Sequence, residues 1–129
     1  MPINSKQKGK RFELLLASKF RENGYDARRT AQYCGNTGEA MDVCGLPHIH
    51  VEAKSVERLN IYDAIDQAKR DATASGKGEM PTVFHKKNRC NILVTMEFDD
   101  WIKLYREYEA SVKEWQNGCE MDKNHNRHI

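Results

Sequence analysis

Between residues 12 and 20 the apolar positions recur at helical spacing. Phe12, Leu15, Leu16 and Phe20 form one stripe with an arc of about 140°. The spacing predicts a helix over 9–23, closed by Gly24, a residue suited to a left-handed cap. Glu13 falls at the edge of that arc, beside Phe20, and points to the margin of the surface on which the helix packs. The pattern then shortens. Residues 25–33 read as a weak strand, 35–39 as a Gly-rich loop, and 41–45 and 49–54 as two strands joined by a tight turn around Leu46-Pro47. In the latter strand Ile49, Val51 and Ala53 take one face, and His50, Glu52 and Lys54 the other.

A second helix is predicted over 61–75. Asn60 and Asp63 form its N-cap pair, Ile61, Ala64, Ile65, Ala68 and Ala72 its buried face, and Gly76 its end. Strands follow at 81–86 and 90–96, across a basic turn of Lys86, Lys87, Asn88 and Arg89. Trp101, Tyr105, Tyr108, Val112 and Trp115 repeat at 4-3-4-3 spacing and predict a last helix, from Asp99 or Asp100 to about Gln116. Its aromatic stripe reads as core, with a dimer interface as the alternative. The order αβββαββα describes a mixed α/β protein with a central sheet flanked by helices.

Composition narrows this picture. The 129 residues correspond to one domain, drawn as a flexible basic N-terminus over 1–8, a domain over 9–117 and a polar tail over 118–129. With 39% hydrophobic and 31% charged residues, wholesale disorder is excluded. No apolar run approaches the roughly 18 residues of a membrane span, and no apolar region follows the basic N-terminus, so a cytoplasmic protein is expected, in the host cytoplasm if the chain is viral. Cys34, Cys44, Cys90 and Cys119 make no CxxC pair, which argues against a zinc ribbon and for reduced thiols. The net charge is only +2, yet residues 1–29 hold eight Lys and Arg against three acids. The rest of the chain is mildly acidic.

The chemistry centres on Glu13, Asp42, Glu52, Lys54 and Gln67. Glu52 and Lys54 project from one face of a strand whose other residues are apolar, and an acid and a lysine there need partners or a ligand. Folding the hairpin brings Asp42 beside Glu52. Converging carboxylates make a hard-oxygen pocket, and Mg²⁺ takes about six oxygens, several of them water. Such an ion polarises a phosphate and lowers the pKa of a bound water. A neighbouring lysine holds the attacking water or offsets developing negative charge. The bland alternative is a salt-bridge cluster on an exposed sheet face.

The D-x9-E-x-K spacing from Asp42 to Glu52-Ala53-Lys54 resembles the PD-(D/E)XK nuclease superfamily. Over roughly residues 8–105 the chain is more closely similar to the archaeal-type Holliday junction resolvases and their phage relatives. Gly9-Lys10-Arg11-Phe12-Glu13 matches that group's basic G-xxx-E on the first helix, and Gln67 matches its helical glutamine. The resemblance implies a restriction-endonuclease-like αβββαβ core and a Mg²⁺-dependent endodeoxyribonuclease, with Mn²⁺ as a substitute. Asp42, Glu52 and the Ala53 carbonyl would bind the metal, Glu13 directly or through water. Lys54 would orient the nucleophilic water and Gln67 would support the site. The substrate implied is branched DNA, a four-way junction, cut by a homodimer because two opposed strands need two active sites. Flaps, nicked duplex or single strands are the alternative substrates. A non-catalytic nucleic-acid-binding module is the alternative of another class. Met41 stands where the family usually has proline, Leu14 where it often has a basic residue, and Asn36 and Thr37 where resolvases often place a serine.

Candidate phosphate contacts are Lys8, Lys10, Arg11, Arg28, Arg29, Asn36, Thr37, Lys86 and Lys87, with Lys6 and Arg89 beside them. His50 shares the face of Glu52 and reads as a neighbour of the site rather than a ligand, for want of a downstream His/Cys pair. His48 reads as turn surface, and His125 and His128 as tail. Gly35-Asn36-Thr37-Gly38 matches a KH-type GXXG loop only in isolation.

Overall fold

The computed structural model describes residues 5–30 and 41–126, with side chains to residue 118. By its internal contacts the chain divides between Glu97 and Phe98.

Within the first unit, helix α1 (Ser5–Glu22) leads into strands β1 (Arg28–Arg29), β2 (Val43–Cys44) and β3 (Ile49–Ser55). Helix α2 (Ile61–Ser75) follows, then strands β4 (Met80–Lys86) and β5 (Leu93–Met96). The five strands lie in one mixed sheet in sequence order. β3 and β4 are parallel and the other pairs antiparallel. A parallel pair needs a crossover, and α2 supplies it. Mixed α/β architecture is therefore as the sequence indicated.

The two helices bury different sets of sheet residues. Phe12, Leu16 and Ala17 of α1 cluster with Ala27, Val43, Val51 and Phe84. Phe20 meets Phe84 edge to face at 5.3 Å. Ala64, Ile65 and Ala68 of α2 cluster with Val83. Val83 and Phe84 are adjacent on β4, so they point to opposite faces and place α1 and α2 on opposite sides of the sheet. β3 is central and covered on both sides. His50, Val51 and Glu52 are all buried, which removes the exposed-face alternative for Glu52.

Capping follows the sequence closely at α2. Asn60 accepts from the Asp63 N–H, and Gly76 adopts φ +68° with its N–H bonded to Thr73. α1 starts at Ser5 rather than at residue 9, because a glycine at position 9 weakens a helix without ending it. The weak strand read over 25–33 is only Arg28–Arg29 among the described residues. Gly45, at φ +92°, has a Cβ direction that would run into the Asp26 carbonyl oxygen and Ala27 Cα, so this close approach between β2 and the start of β1 admits only glycine.

The second unit contains helix α3 (Phe98–Asn126). It continues ten residues past Gln116, through Gly118, again because an interior glycine costs about 1 kcal/mol without stopping a helix. Trp101 stacks on Tyr105 at 5.2 Å. The stripe read as core is exposed in the single chain: Tyr108 and Trp115 are 67% and 71% accessible. Helical period alone identifies a common face and not what covers it.

Candidate active site

The antiparallel register of β2 on β3 pairs Val43 with Val51, so Asp42 falls opposite Glu52. The Asp42 N–H donates to the Val51 carbonyl at 2.9 Å. Asp42 Oδ2 accepts from the Ala53 N–H at 2.7 Å. A carboxylate thus bridges to the backbone of the adjacent strand and fixes Asp42 beside the E-x-K segment.

The two carboxyls are unlike in charge. Burial pushes Glu52 up to about 8, and the nearby charge of Asp42 adds to the rise. Burial also raises Asp42, to about 6, against the opposing hydrogen bond from Ala53. The two carboxyls act on each other, so in the metal-free protein they titrate as a pair rather than independently. Two carboxyls that hold a proton near neutrality form a site short of positive charge, which fits a divalent cation: Asp42 and Glu52 would hold it, with the Ala53 carbonyl on the same strand.

Lys54 stands beside the pair. Its Nζ lies 3.7 Å from Glu52 Oε1 and donates to Gln67 Oε1 at 3.1 Å. The ammonium is thus anchored from α2 and partly exposed, a position from which it can also meet a ligand. Glu13 reaches the site from α1 and its charge acts on Asp42. It is held by Arg29, whose Nε donates to Glu13 Oε1 at 2.6 Å. All five candidate site residues, Glu13, Asp42, Glu52, Lys54 and Gln67, are therefore linked by hydrogen bonds or direct electrostatic influence.

The candidate phosphate contacts separate into groups. Lys8, Arg11, Ser55, Lys86 and Asn88 line an open cleft of about 500 Å³. A smaller cleft, of about 360 Å³, shares Lys8 and Ser55 with it and includes Ala53 and Lys54. Basic residues of α1 and β4 thus flank the C-terminal end of β3, the end at which open α/β sheets present ligands. Arg29 pairs with Glu13, and Arg28 with Asp26 at 3.1 Å at the exposed surface, and neither lines the two clefts. Lys10 is exposed outside both clefts, and Lys87 lines another pocket, with Val56, Leu59 and Cys90. Asn36 and Thr37 lie outside the described residues.

Two residues escaped the sequence reading. Asp71 lies close to His50 and Glu52. Its spacing of four from Gln67 puts both on one helix face and was the available signal. Ser55 joins the two clefts. His50 is fully buried, and burial pushes its pKa down, keeping the imidazole neutral. No helix among the described residues is long and apolar enough to cross a membrane.

Compared with family models, with curated proteins and with solved structures, the chain gives no significant match.

Proposed function

We propose that the chain is a Mg²⁺-dependent endodeoxyribonuclease of the PD-(D/E)XK kind that acts on branched DNA, four-way junctions foremost, as a homodimer. The observation that carries this reading is the juxtaposition of Asp42, Glu52 and Lys54 beside a cleft lined by Lys8, Arg11 and Lys86. The order of helices and strands, with Asp42 just before β2 and Glu52 on β3, supports the restriction-endonuclease-like core implied by the resemblance.

Bound between Asp42 and Glu52, a Mg²⁺ ion would supply Lewis-acid polarisation of a phosphate oxygen and a more acidic water. The protein's own residues do the rest. Lys8, Arg11 and Lys86 hold the phosphodiester backbone by charge, which positions it without reading sequence. Lys54, steadied by Gln67, orients the attacking water and balances the charge that builds on the phosphate. Glu13, held by Arg29, adds negative charge at the margin of the acid pair. A homodimer agrees with the apolar side chains left open in the single chain, among them Leu93 and Val94 on the edge strand β5.

The test is cleavage of a labelled four-way junction and a linear duplex in Mg²⁺. The proposal expects junction cleavage that Asp42→Asn abolishes while binding persists. Equal rates on both substrates would remove the junction preference and favour a general nuclease. Binding without cleavage under any divalent ion would leave a non-catalytic module.

A further inference from the structure

The surface of β3 that faces α2 carries a second set of ligating atoms. A ring nitrogen of His50, a carboxylate oxygen of Glu52 and one of Asp71 all lie within 4.8 Å of one another. His50 Nε2 is 3.9 Å from Glu52 Oε2. His50 is 0% and Glu52 2% accessible, and neither ring nitrogen of His50 nor Glu52 Oε2 has a hydrogen-bond partner. Buried polar atoms in native proteins are ordinarily satisfied, so a converging set of orphans marks a place where a partner belongs.

We propose that His50, Glu52 and Asp71 bind a first-row transition ion of the zinc class, at a position separate from the Mg²⁺ position between Asp42 and Glu52. The donor set decides the class of ion. An imidazole nitrogen suits zinc and its neighbours, whereas Mg²⁺ and Ca²⁺ take oxygen. Three protein ligands also leave a fourth position for water or a ligand. A tetrahedral ion with bonds of about 2.0–2.2 Å holds its donors roughly 3.4 Å apart, so the His50–Glu52 spacing of 3.9 Å must close slightly and Asp71, within 4.8 Å of both, must draw in with it.

Glu52 makes the site consequential. Its Oε1 faces Lys54 at 3.7 Å and its Oε2 faces His50 at 3.9 Å. One carboxylate therefore looks into both positions, and an ion on one side fixes the carboxylate that the other side uses. Asp71 approaches from α2, one helical turn beyond the Gln67 that holds Lys54. The charge of Lys77 also reaches His50 and opposes a cation, but two carboxylates outweigh one ammonium. The site stands without the nuclease reading: His50 and Asp71 have no part in the proposed catalysis, and Glu52 is the residue the two positions share.

The experiment titrates the full-length chain with Zn²⁺ by calorimetry and with Co²⁺ by visible absorption, in a millimolar Mg²⁺ background. The expected result is one Zn²⁺ per chain that Mg²⁺ does not displace, and Co²⁺ bands of a low-coordinate nitrogen–oxygen site. Asp71→Asn, at a half-buried helix position, and His50→Gln should each weaken Zn²⁺ binding by about tenfold or more. Asp42→Asn, which neighbours Glu52 but supplies no donor here, should change it clearly less than either. Circular dichroism checks that each variant folds, and Asp71→Asn keeps the test intact should His50→Gln unfold. Absence of Zn²⁺ binding, or affinity unchanged in Asp71→Asn, overturns the proposal. An equal loss in Asp42→Asn overturns it too, by putting the ion at the acid pair. Zn²⁺ binding with no Mg²⁺-dependent cleavage would retain this site and reject the nuclease.

Discussion

Asp42 and Glu52 face each other across the β2–β3 ladder, and the carboxylate of Asp42 accepts the N–H of Ala53, the residue that follows Glu52. This pairing sets two acids side by side, with Lys54 two residues further along β3, and it makes the ionisation of the two acids interdependent.

The first prediction concerns pH. Both acids have folded pKa values raised above the unfolded ones, Asp42 to about 6 and Glu52 to about 8. Their favourable contribution is complete below about pH 4 and is lost progressively as pH rises from there through 6 to about 8. The thermal midpoint of the metal-free protein should fall over that window. In Glu52→Gln the fall should be much shallower, and added Mg²⁺ should restore wild type but not the variant. Parallel midpoint-versus-pH curves would show that the pair is not strained by burial.

Lys54→Ala should reduce cleavage by about 10²–10³-fold, the loss typical of a single transition-state donor. It should leave Mg²⁺ binding intact. Gln67→Ala, which releases Lys54 without removing it, should cost less. Single-turnover rates at saturating metal measure both, and equal losses would mean that Lys54 acts only through its tether.

The Arg29–Glu13 pair, at 2.6 Å, is a charge-assisted bond between side chains only 20% and 18% exposed. Arg29→Ala should destabilise the fold by about 1–3 kcal/mol in urea unfolding. Arg29→Ala combined with Glu13→Gln should recover part of this. If the double variant is as unstable as the sum of the singles, the pair is not coupled.

The basic cleft predicts a salt dependence. Lys8→Ala and Lys86→Ala should each lower the slope of log affinity against log salt by about 0.9. Lys10→Ala, outside the clefts, should leave the slope unchanged. Equal slopes for all three would show that the DNA path does not follow the cleft.

Gly45→Ala should cost about 2 kcal/mol or more, since it combines a positive φ with a collision against the Asp26 carbonyl. Chemical denaturation measures it. A small loss would mean that the β1–β2 edge yields easily.

Much was legible in the sequence. Period 3.6 around Phe12 to Phe20 and period 2 around Ile49 to Lys54 are local consequences of where apolar side chains fall, so α1 and β3 were readable. Asn60 and Gly76 marked α2 because capping is a local hydrogen-bond requirement. The group Asp42, Glu52 and Lys54 was readable because Glu52 and Lys54 share a strand face and a short hairpin has few registers, so folding it brings Asp42 beside Glu52.

Tertiary structure decided the rest. Only the packing of α2 shows that the polar face of β3 is buried, which separates Glu52 from a surface salt bridge and raises its pKa. Only the packing of α1 shows that Arg29, which reads as a phosphate contact, pairs with Glu13. Asp71 joined His50 and Glu52 through the same helix crossing. The sequence determined which residues share a face, because that follows from backbone geometry along one element. What each face meets depends on how separate elements pack, and local periodicity carries no record of it.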